Sequence, residues 1–162
     1  MSEKQREIYQ EHLPEVREAN THILSSLFDD HFFDRIELLN NKYENEPRDN
    51  KWVVLGSNSW VKGALQSEKW CKDNDVDYEL IFGVEYDQFL KRLAQAKGLC
   101  AMPAGYDTCP RLVIEAKLLG CALQTNEYVQ HRDEEWFNKP SKEIIKYLRT
   151  RKDYFWMNAF NG

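Results

Sequence analysis

Residues 98–126 read GLCAMPAGYDTCPRLVIEAKLLGCALQTN, and no other stretch says more about the class of the fold. GLCAMP (98–103) is a short apolar run bounded by Gly and Pro, the signature of a buried strand. A polar loop follows. PRLVIEAKLLG (110–120) then reads as a helix that opens on Pro and closes on Gly, the asymmetry that helix ends favour. CALQTN (121–126) is a second strand. Strand, helix and strand in so few residues imply a parallel pair joined by a right-handed crossover. The same unit recurs upstream: WVVLG (52–56), a helix over 62–74, YELIFG (78–83), then a helix over 86–97 with Phe89, Leu90 and Leu93 inward. Repetition of this unit predicts an α/β, Rossmann-like three-layer domain with a mainly parallel sheet and helices on both faces.

The flanks are helical. Residues 3–19 read as a charged helix interrupted at Pro14. Residues 27–45 set Leu27, Phe28, Phe32, Ile36 and Leu39 at spacings of three and four, with Pro47 beyond as a stop. A last helix covers 141–150, followed by the aromatic tail DYFWMNAF. The expected division is an N-terminal helical segment (1–50), a Rossmann-like core (51–139), and a C-terminal helix with its tail (140–162).

Composition narrows the function. The chain has 162 residues, 42% of them apolar and 13% aromatic, enough for one ordinary core. Its net charge of −5, with acids and bases interspersed, argues against a nucleic-acid partner. No apolar run approaches the ~20 residues of a transmembrane helix. The polar, acidic N-terminus does not resemble a signal peptide, so a cytoplasmic setting with reduced thiols is expected. Cys71, Cys100, Cys109 and Cys121 form no CxxC pair and have no His at ligand spacing, so no metal site is expected. Cys100 and Cys121 read as small core residues.

Ligands of open parallel sheets bind beyond the carboxyl ends of the strands. The loops there are 56–63, 83–86, 103–110 and 125–131. In GSNSWVKG (56–63), Lys62 and Gly63 open a helix after a strand, which suits a phosphate. The spacing is neither a P-loop nor GxGxxG, and a solvated Lys is the alternative. Asp107 and Glu115 are separated by seven residues. Glu115 lies among Leu112, Val113, Ile114, Leu118 and Leu119, where a carboxylate needs hydrogen-bond donors. Two ribose hydroxyls would supply them; a Glu–Lys pair or an exposed helix face are the alternatives. His131 reads as a surface residue and the acidic run 133–135 as a solvated face. His12, His22 and His31 lie in the N-terminal helices, and no Ser-His-Asp arrangement is visible.

Taken in order, WVVLGSNSWVKG, the strand ending in FG before a short helix, the MPAGYD loop and the IEAKLLGC helix carry a family resemblance. Residues 52–137 resemble the donor-binding, C-terminal half of a GT-B-fold glycosyltransferase with an E-x7-E motif. The resemblance implies transfer of a sugar from a nucleotide-diphosphate sugar, with no cofactor beyond that donor and no metal. Lys62 would neutralise the diphosphate, Ser57 and Asn58 in the same loop would be substrate-binding, and Val84 and Tyr86 would hold the base. Asp107 would occupy the first acidic position, against the donor sugar, and Glu115 the second, accepting the ribose hydroxyls. Thr108 to Leu112 would turn helix amides toward the diphosphate. On this reading Asp107, Glu115 and Lys62 are the catalytic set.

The departures are specific. The first acid is Asp, one methylene shorter than the family's Glu. The Gly-rich stretch between the acids is Thr-Cys-Pro-Arg. The basic residue five positions before the loop Lys is Ser57, and Arg111 is the expected substitute. Only about 50 residues precede the core, too few for a second domain of normal size, so the expected readings are a fragment, a subunit completed by an acceptor-domain protein or homo-oligomer, or a protein that has lost the acceptor half. The second reading is a non-catalytic nucleotide-binding or interaction module without the acceptor half.

Overall fold

In a computed structural model, which describes residues 2–107 and 110–160, the chain is α/β with helices on both faces of a parallel sheet. Two short helices open it. α1 (Glu3–His12) is capped by Ser2, whose hydroxyl accepts from the Gln5 amide at 3.1 Å; α2 (Pro14–Glu18) restarts on Pro14. α3 (Asp30–Tyr43) is capped by the Asp29 carboxylate, which accepts from Phe32 N at 2.8 Å. Because the helix begins there, Leu27 falls off the predicted apolar stripe and is exposed. Phe28, also outside the helix, folds back to stack on Phe32 with centroids 4.1 Å apart.

The strands are β1 (Trp52–Leu55), β2 (Tyr78–Ile81), β3 (Gly98–Ala101) and β4 (Ala122–Thr125). Their spatial order is β2-β1-β3-β4 and all pairings are parallel. The crossovers are α4 (Ala64–Asp73), α5 (Tyr86–Gln95) and α6 (Arg111–Leu118). The chain steps outward from β1 to β2, then returns past β1 to β3. The direction therefore reverses between β1 and β3, and the crevice at their carboxyl ends is the natural ligand position of this topology.

Side-chain alternation along each strand feeds two cores. Val53 and Leu99 join the larger one with α3, α5 and α6, while Val54 and Cys100 pack with Cys71 of α4 on the opposite face. The flanking segments belong to the larger core: Phe32, Phe33 and Ile36 enter it from α3, Ile144 and Leu148 from α7 (Ser141–Phe160). Arg48 ties the connection down by donating to the carbonyls of Ala96 (2.9 Å) and Leu119, beyond the C-terminal ends of α5 and α6. There its charge meets the negative helix termini.

α7 runs ten residues beyond the predicted 141–150, because the aromatic tail continues the helix. Its last turns leave Phe155, Trp156 and Phe160 exposed, with Trp156 stacked on Phe160. No helix among the described residues is long and apolar enough to cross a membrane.

Candidate functional site

The loops after β1 and β3 are fastened to each other at the switch point. Lys62 ends a short 3-10 turn (Trp60–Lys62), and Gly63 follows in the left-handed region at φ 64°. A Cβ on Gly63 would fall 1.9 Å from the Met102 carbonyl oxygen, so both its conformation and its space demand glycine. Ser67, buried on α4, donates to the Gly63 carbonyl and accepts from the Met102 amide, each at 2.9 Å. The Ala104 amide donates to the Val61 carbonyl at 3.1 Å. On the other side, the Asp107 amide donates to the Tyr128 carbonyl at 3.0 Å, and Asp107 forms a parallel bridge with Val129 beyond β4.

This fastening sets Lys62 Nζ 2.9 Å from Asp107 Oδ2. Lys62 is therefore partly solvated, at 37% side-chain exposure, and paired with a carboxylate 45 positions away. Beside the pair is a cavity of about 30 Å³, lined in part by Leu55, Cys100, Pro110 and Leu112. That volume holds about one water molecule. The loops are closed on each other, and a larger ligand needs them parted.

A second polar group stands where α5 and α6 begin. α6 is buried almost all round, with Val113, Ile114, Ala116 and Leu118 inside, so Glu115 has no route to bulk water and is 4% exposed. The donor it finds is the Tyr86 hydroxyl, 2.8 Å from Oε1. Arg111 Nε stands 3.9 Å from the same oxygen, while the guanidinium lies over the Phe28 ring at 4.7 Å. Neither a Glu–Lys pair nor an exposed helix face describes Glu115. Burial raises its pKa, opposed by the Tyr86 hydrogen bond and the Arg111 charge. Burial, then the neighbouring carboxylate, pushes the Tyr86 phenol well above its ordinary value.

The structure therefore groups Lys62, Asp107 and Leu112 in one cluster and Tyr86, Arg111 and Glu115 in another. Ser57 turns its hydroxyl to the Ser59 amide, and Asn58 and Val84 are exposed. Thr108 lies outside the described residues. Ser67 was missed. The available signal was its place one turn before Cys71 on the inner face of α4, a small polar residue on an apolar stripe.

Two expectations about the segment after β4 are corrected. His131 is 1% exposed, with Nδ1 3.3 Å from Glu134 Oε1. Glu134 is drawn inward too: it accepts from the Trp136 indole, and these bonds outweigh the burial that would raise its pKa, so the net shift is downward. Only Asp133 and Glu135 form a solvated face. The reason is Trp136, which stacks on Tyr147 of α7 (centroids 5.0 Å apart) and pulls its neighbours under cover.

A wide cleft of about 1010 Å³ lies between α1, residues 130–139 and α7, away from the strand ends. Six carboxylates against three cations line it, the wrong sign for a diphosphate. Among the described residues no three His, Cys, Asp or Glu side chains converge as a metal site. Cys71, Cys100 and Cys121 are buried; burial pushes the Cys100 thiol up to about 12 and that of Cys121 up to about 11, which removes thiolate reactivity. Comparison of the chain with protein-family models, with curated proteins and with solved structures gives no match.

Proposed function

We propose that this chain is the donor-binding part of a glycosyltransferase, taking a nucleotide-diphosphate sugar at the carboxyl ends of β1 and β3. The observation that carries the reading is the Lys62–Asp107 pair at the switch point, with Glu115 buried in a second cluster on the α6 that begins there. A parallel sheet of this order binds ligands at that crevice. A cation there meets a diphosphate, and a carboxylate buried one helical turn below the α6 N-terminus meets vicinal hydroxyls.

In the mechanism that follows, the donor parts the two loops and replaces the internal partners of the site. Lys62 exchanges Asp107 for phosphate oxygens, and the freed Asp107 accepts from a hydroxyl of the sugar. Glu115 exchanges the Tyr86 hydroxyl for ribose hydroxyls. As the glycosidic bond breaks, negative charge grows on the diphosphate, and Lys62 with the first amides of α6 stabilises it. Arg111, on the first turn of α6, adds its charge when it leaves Phe28. An acceptor-binding partner, another chain or a second copy, completes the enzyme.

The test is calorimetry with UDP, GDP, ADP and uridine on the wild type, Lys62→Ala and Glu115→Ala. Lys62→Ala should weaken the diphosphates at least tenfold and leave uridine within about twofold, since it removes one phosphate contact of ~1.5–3 kcal/mol. Glu115→Ala should weaken nucleosides and diphosphates alike. Absence of binding to all four would dismiss the reading. In that case the exposed aromatic end of α7 favours an interaction module.

A further inference from the structure

We propose that Trp60, with Tyr106 beside it, forms a stacking platform for a pyranose ring at the mouth of the Lys62–Asp107 site. The inference rests on the donor reading above for its place in a reaction, and on separate observations for its chemistry.

Trp60 is 72% exposed and Tyr106 47%, in a fold that buries Trp136 and most of its Phe side chains. The two stand two residues before Lys62 and one before Asp107. Each is held by a built contact. The benzo edge of Trp60 rests on Gly105, where a Cβ would come within 3.1 Å of the indole. Glycine at 105, with φ outside the left-handed region, therefore makes room for the ring. Tyr106 is braced edge-on by Tyr128, with centroids 5.3 Å apart, and carries the Lys4 ammonium 5.2 Å from its centroid. The backbone beneath is pinned by the bond between Ala104 and Val61. An aromatic surface held out in water by a fixed scaffold, beside a cation and a carboxylate, offers two kinds of contact at once.

A pyranose ring has the matching pair. Its C–H face is apolar and stacks on aromatic rings, while its rim of hydroxyls needs charged or polar partners within reach. A purely apolar docking partner would leave Lys62 and Asp107 without a role. A nucleobase would be read at the α5 end of the crevice instead, where the Glu115 cluster and Val84 lie. The stacked sugar has two possible sources, the sugar carried by the donor or that of the acceptor, and both share this chemistry.

The test uses saturation-transfer NMR on the full chain with methyl β-glucopyranoside, methyl α-mannopyranoside and lactose, alongside calorimetry with UDP and UDP-glucose. Stacking tolerates stereochemistry, so the wild type should transfer saturation to ring C–H protons of at least one glycoside. Trp60→Phe should keep the signal, and Trp60→Ala should cut it about fivefold. Gly105→Ala, which lifts the indole while keeping it, should reduce the signal as well. If Trp60→Ala weakens UDP-glucose but not UDP, the stacked ring belongs to the donor. If it spares both and loses only the free glycosides, the ring is the acceptor's. No signal from any glycoside, or equal signals from wild type and Trp60→Ala, overturns the platform. Loss of nucleotide binding with the glycoside signal intact would instead sink the donor reading and leave the platform standing.

Discussion

Tyr86→Phe removes one oxygen and exposes the logic of the buried carboxylate. The lost bond is an O–H donated at 2.8 Å to a carboxylate that is 4% exposed. Hydrogen bonds to charged groups contribute ~1.5–3 kcal/mol, and an acceptor left buried without its donor costs about as much. Tyr86 is itself 42% exposed and Arg111, at 3.9 Å, can close part of the gap, so about 2 kcal/mol is expected. For a chain of this size that lowers Tm by roughly 4–8 °C. Glu115→Gln should act in the opposite direction at neutral pH, since it keeps an acceptor for Tyr86 and removes the buried charge.

The sign of the pH dependence follows from the raised pKa of Glu115. The native state holds this proton more tightly than the unfolded chain, so the associated stability is complete below the ordinary value of 4.5. It is lost as pH rises through the elevated native value. Wild type minus Glu115→Gln should therefore show a Tm difference that grows more negative as pH rises from the ordinary 4.5 through the elevated native value. The same bond competes with ribose. Tyr86→Phe should bind UDP more tightly, by up to about 30-fold, the gain expected when a bond of about 2 kcal/mol need not be broken first. Melting curves of both single variants and the double variant, with UDP calorimetry, form the assay. A Tm for Tyr86→Phe within about 1 °C of wild type, or strictly additive effects in the double variant, would refute the coupling.

Two further outcomes are expected. Gly63→Ala must force a Cβ into the Met102 carbonyl at a left-handed position, so it should cost about 3 kcal/mol or more and open the Lys62–Asp107 contact. Urea unfolding with the midpoint of the wild type would contradict this. Arg48→Ala removes cationic hydrogen bonds to carbonyls beyond α5 and α6 from a partly exposed side chain. It should lower stability by about 1–2 kcal/mol, with faster amide exchange at those two helix ends; protection unchanged there would show that Arg48 is incidental.

The sequence alone determined the class of the fold, because the signals for it are local. WVVLG, YELIFG, GLCAMP and CALQTN are short apolar runs between amphipathic helices, and parallel pairing with right-handed crossovers follows from that alternation. Pro14 and the Pro110–Gly120 bracket likewise marked breaks and ends through backbone chemistry that neighbours cannot alter. The carboxyl-end loops were legible for the same reason, and so were Lys62, Asp107 and Glu115 as residues to inspect. What each of them touches was not legible. Lys62 meets Asp107 across 45 positions and Tyr86 meets Glu115 across 29, pairings that exist only once β1 and β3 lie side by side and α5 packs on α6. His131 looked like a surface residue because its neighbours in sequence are charged. Its burial comes from Trp136 stacking on Tyr147, a contact between the segment after β4 and a helix that begins ten residues later. The aromatic tail was not legible as helix; it continues α7, which Ile144 and Leu148 anchor in the core. Local patterning thus sets which elements form. Long-range packing alone decides which polar groups are left with only each other.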